Sequence, residues 1–184
     1  MKNLVLASGS PRRRDLLQWC GYHPTVQPQQ IDESPKPGEL PVPYALRLAQ
    51  EKAEASPESA IPVVAADTIV HMNETIFGKP KDREHGRNIL RTLAGCWHTV
   101  TTAVCVRQGT HVNTFAIHTR VRMRELSAAE LESYLDSGEG DDKAGAYGIQ
   151  GRAGTFVAEV QGSWTNVMGL PVEEVLHALS QLER

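Results

Sequence analysis

No apolar run in this chain approaches the ~18 residues that a membrane-spanning helix requires. The stretch Leu4-Val5-Leu6-Ala7 behind Lys2 is also too short for the core of a secretory signal. The expected address is therefore cytoplasmic, with no membrane partner. Cysteine is scarce. Cys20, Cys96 and Cys105 make an odd number with no C-x-x-C pair, which argues against a disulfide framework, a zinc knuckle or a redox dithiol. Free thiols in the interior are the expectation. The seven histidines include no H-E-x-x-H and no pair at i, i+4. Positive charge is not in excess: 19 Lys and Arg against 22 Asp and Glu leave a net charge of −3. Aromatics are only 5%. Together these disfavour a general nucleic-acid coat, so no nucleic-acid partner is expected. G-x-x-x-x-G-K-[ST] occurs nowhere, which excludes a P-loop NTPase.

What is present is enough for a core. The 184 residues are 40% hydrophobic and 22% charged. At this size a chain buries roughly 70% of its unfolded surface without a metal or disulfide staple. No repeat or low-complexity segment interrupts it, and a single domain over residues 1–184 is expected. A short apolar strand over 3–7 leads into a helix over 12–20, with Ser10 as N-cap, Pro11 at the first position and Gly21 as the stop. Residues 24–43 hold six prolines and read as a stiff, irregular excursion. A helix over 43–56 carries Ala45, Leu48, Ala49 and Ala53 on one stripe. Residues 62–71 are almost wholly apolar and β-branched, as in a central strand. A further helix spans 82–94, and alternating runs over 99–107 and 111–124 predict a hairpin. The arginines 120, 122 and 124 fall on one face of the second run, read as a solvated sheet face. Ser127 to Glu130 forms a capping box. A glycine-rich loop over 138–154, a strand over 155–160 and a helix from Pro171 follow. The class is α/β with a mixed sheet.

Three features carry chemistry. In Ser8-Gly9-Ser10-Pro11-Arg12-Arg13-Arg14, three cations crowd a helix N-terminus, where the helix dipole disfavours them unless an anion is bound. Arg13 shares the apolar stripe of Leu16, Leu17 and Cys20, so it is expected on the buried side; an exposed basic patch is the alternative. Asp67 interrupts the apolar strand, and a buried carboxylate is costly unless paired, hydrogen-bonded or on a metal. A purely structural carboxylate is its alternative. Asp32 and Glu33 could bring further oxygens, and Mg²⁺ favours one or two carboxylates plus substrate phosphates. Lys52 lies on the apolar stripe of its helix, where it either snorkels or serves the site. Lys79 follows the segment after the central strand, so charges of both signs meet near one end of the sheet, as a polyphosphate with metal requires. The third feature is the loop 142–151. Its glycines allow close backbone approach, Tyr147 could stack on a base, and Gln150 could pair with a base edge.

These residues carry a resemblance. LASGSPRRRDLL at 6–17, IDE at 31–33, RLAQEKA at 47–53, VVAADTIV at 63–70, GKP at 78–80, DKAGAYGIQG at 142–151 and GLP at 169–171 stand in the order found in the Maf family of nucleotide pyrophosphatases. The loop at 142–151 resembles the branch acting on dTTP and UTP. The resemblance implies an elongated α/β fold of the inosine-triphosphatase type, two-lobed, with a mixed twisted sheet, flanking helices and a central cleft. It implies hydrolysis of a nucleoside triphosphate to the monophosphate and pyrophosphate with a divalent metal cation (Mg, Mn or Co), and it leaves a homodimer open. By the same resemblance Asp67 is the proton acceptor, with Lys52 and Lys79 as catalytic partners. Ser8 and Arg13 line the phosphate site, Arg12, Thr68 and Gln150 set nucleotide preference, and Glu33 joins Asp67 at the metal. The rival reading is a nucleotide-binding regulator of cell septation without significant turnover.

Overall fold

A computed structural model describes residues 2–57 and 60–182. Their order is β1 (Lys2–Leu6), α1 (Pro11–Trp19), β2 (Tyr22–Val26), α2 (Pro41–Ala55), β3 (Val63–Met72), β4 (Thr75–Phe77), α3 (Arg83–Leu93), β5 (Trp97–Gln108), β6 (His111–Met123), α4 (Ala128–Asp136), β7 (Val157–Gln161), α5 (Trp164–Met168) and α6 (Val172–Gln181). Two 3-10 turns, Ala144–Ala146 and Arg152–Phe156, precede β7.

Among the described residues seven strands form one mixed sheet in the order β2-β1-β3-β5-β6-β7, with β4 on β3. β1 is parallel to both β2 and β3, whereas β3–β4 and β6–β7 are antiparallel. The parallel pairs follow from helical crossovers, since α1 links β1 to β2 and α2 lies between β2 and β3. β5 and β6 are joined by two residues, with Gly109 at φ 56, a backbone state that glycine reaches without strain. A register shift at Arg122/Met123 bends the β6–β7 pair.

The chain divides into two compact units. The first comprises 1–68, 102–117 and 169–184, the second 69–101 and 118–168. In the first, Leu4, Leu6, Leu16, Leu17, Leu48 and Val63 are essentially fully buried. Each such side chain contributes about 1.5–3 kcal/mol relative to exposure. In the second, Leu90, Leu93, Met123, Tyr134 and Phe156 form the core, Tyr134 meeting Phe156 edge-on at 5.2 Å. The capping box is present: Ser127 and Glu130 cap α4 reciprocally.

Several elements differ from expectation. Residues 22–26 lie inside the predicted excursion yet pair with β1, Pro24 opposite Leu4. β2 is an edge strand, so the missing proline N–H interrupts no ladder on its outer side. α2 begins at Pro41, two residues early, because prolines suit a first helical turn. Residues 155–156 belong to a 3-10 turn rather than to β7. The expected thiols are free, but only Cys105 is buried; Cys20 and Cys96 are half-buried.

Candidate active site

The first unit holds a compact charged cluster built by three segments. β3 supplies Asp67 and Thr68, neighbours whose side chains leave opposite faces of the strand. From α2 comes Lys52, one turn after Leu48 on the buried stripe. From the loop before α2 comes Glu33. The Lys52 Nζ lies 2.7 Å from Asp67 Oδ1 and 2.7 Å from Glu33 Oε1. Lys52 is 9% exposed, and its ammonium ends on these carboxylates rather than in bulk water, so it does not snorkel.

Arg13 is equally buried. Its Nε donates to the Gly169 carbonyl at 2.8 Å, Nη1 to Ser8 Oγ at 2.7 Å and Nη2 to Thr68 Oγ1 at 2.9 Å. The exposed-patch reading is thereby removed for Arg13. Burial lowers the pKa of its guanidinium, and the negative charge of Asp67 works against that shift, as does Glu33 more weakly. Ser10 makes no side-chain cap to α1; its own amide donates to Ser8 Oγ at 3.3 Å. Thr68 Oγ1 also meets Thr102 Oγ1 at 2.9 Å. Two contact groups thus form on consecutive β3 residues, Lys52–Asp67–Glu33 and Ser8–Arg13–Thr68, with Asp67 and Glu33 near enough to act electrostatically on Arg13, and Arg12 stands in the first turn of α1. The Gly169 carbonyl and Thr102 were missed as partners. Gly169 at φ 113 is a conformation that glycine alone accepts readily.

Lys79 and Gln150 belong to the second unit, and both are exposed there. Gln150 sits on a loop fastened by Glu139, whose carboxylate accepts from the amides of Arg152 at 2.9 Å and Ala153 at 3.4 Å. A Cβ at Gly148 would come within 3.2 Å of the Gln150 amide nitrogen and 2.8 Å of Lys143 Cε, so glycine there leaves room for both side chains. Tyr147 departs from expectation. It is 5% exposed, and its hydroxyl pairs with His98 Nε2 at 2.8 Å, so it is a core residue and not a base-stacking one. Burial raises its pKa.

Among the described residues no group of three or more His, Cys, Asp or Glu side chains could cage a metal ion. Glu33 and Asp67 offer a different kind of site. Their converging oxygens are taken by the Lys52 ammonium, so a divalent cation here would bind through their other carboxylate oxygens and take its remaining ligands from water and phosphate.

The fold places the chain in a known class first. It resembles the Ham1 protein of Staphylococcus aureus, with a TM-score of 0.53, 14% identity and 100% of both chains covered. It also resembles a HAM1 protein of Coxiella burnetii, with a TM-score of 0.54, 14% identity, and 98% of this chain and 100% of that one covered. At that identity the likeness defines the fold alone. The family is shown by sequence: residues 3–182 match the model of the Maf-like proteins, and the chain belongs to that family. Among its relatives are a dTTP/UTP pyrophosphatase of Chromobacterium violaceum, 48% identical with 97% of this chain and 93% of the relative covered, and one of Hahella chejuensis, 44% identical with 98% and 92% covered. No helix among the described residues is long and apolar enough to cross a membrane.

Proposed function

We propose that this chain hydrolyses dTTP and UTP, with modified pyrimidine nucleotides in range, to the monophosphate and pyrophosphate, acting in the cytoplasm. The observation that carries the reading is the Lys52 ammonium held at 2.7 Å from both Asp67 and Glu33, beside a buried Arg13. The names of the relatives support the substrate pair. Cleavage of a triphosphate needs neutralised charge, in-line positioning and an activated water more than covalent help. Asp67 accepts the proton of the attacking water as it reaches the α-phosphorus. Lys52 steadies that carboxylate, and Arg13 brings fixed positive charge for the phosphates. Lys79 is assigned to phosphate neutralisation, and Arg12, Thr68 and Gln150 to nucleotide preference, on the sequence resemblance. A glutamine amide complements the imide edge of thymine or uracil, and a mismatched base leaves it unpaired. Glu33 and Asp67 would hold a divalent cation (Mg, Mn or Co), which when bound supplies charge neutralisation at the phosphate oxygens.

The test is a panel of nucleoside triphosphates assayed for pyrophosphate release with several metals. dTTP and UTP should give the highest kcat/KM, CTP less and purine triphosphates least. Preference for a guanine nucleotide would overturn the substrate assignment. Tight binding without pyrophosphate release would favour the septation regulator instead.

A further inference from the structure

Glu33 stands on a segment, residues 27–40, with no regular secondary structure, and its side chain is 55% exposed. An exposed carboxylate on such a segment loses much entropy when held in one place. Yet it sits 2.7 Å from Lys52 Nζ. The segment is fastened to α2 at Glu33 itself and along the residues that follow it. The Tyr44 hydroxyl donates to the carbonyl of Glu33 itself at 2.9 Å. Arg47 Nη2 donates to the next carbonyl, Ser34, at 3.2 Å. Its Nε and Nη2 also grip Glu39 Oε1 and Oε2 at 2.6 and 2.7 Å, while Nη1 reaches Glu51 Oε2 at 3.1 Å. The fork is largely buried, with Arg47 and Glu39 side chains 14% and 10% exposed. Arg47 also lies over the Tyr44 ring, 5.5 Å from its centroid.

We propose that Tyr44 and Arg47 are positioning residues: they pin the 27–40 strap so that Glu33 is delivered to the Lys52–Asp67 pair. This rests on the role given to Glu33 in the proposed reaction. Tyr44, Arg47 and Glu51 fall at i, i+3 and i+7, so one face of α2 carries the fastenings and the adjacent position carries Lys52. One rigid helix therefore fixes both an ammonium and the loop that brings its carboxylate. A bidentate arginine–carboxylate pair supplies direction as well as attraction, which a lysine cannot reproduce. Arg47 holds the Glu39 carboxyl down to about 2, so this pair stays charged at neutral pH.

The experiment combines backbone dynamics with a kinetic cycle. In ¹⁵N relaxation the amides of Ser34 and Glu39 should be rigid in the wild type, with order parameters near ~0.85, and should fall toward ~0.6 in Arg47→Ala and, less, in Tyr44→Phe. Turnover should fall roughly 10- to 100-fold in Arg47→Ala, the scale of a misplacement of about 1 Å, with partial rescue in Arg47→Lys. In a Glu33→Gln background Arg47→Ala should add less than about 3-fold, because it acts through Glu33. Equal losses in both backgrounds, a strap that stays rigid, or a loosened strap with full turnover would each overturn the proposal. Tyr44→Phe keeps the ring on Arg47 and answers the same question should Arg47→Ala fail to fold. Glu33→Gln alone separates the two readings: full activity there removes Glu33 from the reaction whatever the strap does, and the positioning role falls with it.

Discussion

Replacing Lys52 by methionine keeps the stem and removes the charge, so it isolates what the ammonium does. Lys52 faces two carboxylates of unequal exposure. The Glu33 side chain is 55% exposed, and a screened pair of that kind is worth about 0–1 kcal/mol. The Asp67 side chain is 13% exposed, and stripping the partner from a buried ion costs about 3–5 kcal/mol. Residual exposure of Asp67 puts the loss near the lower end, about 3 kcal/mol. For a chain of this length that corresponds to roughly 6–12 °C in Tm. Asp67→Asn leaves the ammonium with Glu33 and should cost about 1 kcal/mol. In the double variant neither buried charge is stranded, so the effects should be less than additive by about 1–2 kcal/mol. Urea titration of the four proteins, with m-values compared, measures this directly. Single losses that sum to the double within about 0.5 kcal/mol would refute the idea that Lys52 and Asp67 stabilise one another.

Asp67→Asn should remain folded and lose about 10²–10⁴-fold in pyrophosphate release; near-wild-type turnover would remove Asp67 as base. His98 is buried, and burial, with nearby His71 adding to it, pushes its pKa down to about 4. The unfolded chain therefore binds a proton that the folded one refuses, and the stability present above about pH 6.5 should be lost as pH falls toward 4, by at most about 3 kcal/mol. Stability curves of the wild type and His98→Gln should diverge in that window, and parallel curves would contradict the assignment. Ser127→Ala should cost about 1 kcal/mol through loss of the α4 cap, read by urea titration. Chelator should stop turnover and added Mg²⁺ or Mn²⁺ restore it; full activity in excess chelator would remove Glu33 and Asp67 from any metal role.

Local signals made much of the fold legible. β1, the limits of α1 between Pro11 and Gly21, β3 and the α4 capping box follow from short-range patterns. β2 was not legible, because Pro24 argues against a strand unless its edge position beside β1 is known, and that is a non-local fact. Five-residue α5 offers too little periodicity to be seen. The charged cluster was legible where a charge broke an apolar pattern, as at Arg13, Lys52 and Asp67. Its pairing was not, since Glu33, Lys52 and Asp67 meet across gaps of 19 and 15 positions. Tyr44 and Arg47 break no apolar pattern in the sequence; only the returning strap gives them work. Tyr147 misled for the opposite reason. An aromatic in a glycine-rich loop suggests an exposed ring, while its hydroxyl in fact pairs with Nε2 of buried His98.

The central claim is that water attacks the α-phosphorus of a pyrimidine triphosphate under the control of Asp67. Hydrolysis of dTTP in ¹⁸O-labelled water, followed by mass spectrometry of both products, tests it most directly. The account predicts one labelled oxygen in the monophosphate, none in the pyrophosphate, and labelled monophosphate forming about 10²–10⁴-fold more slowly with Asp67→Asn. Label in the pyrophosphate, or release of inorganic phosphate as the first product, would contradict it.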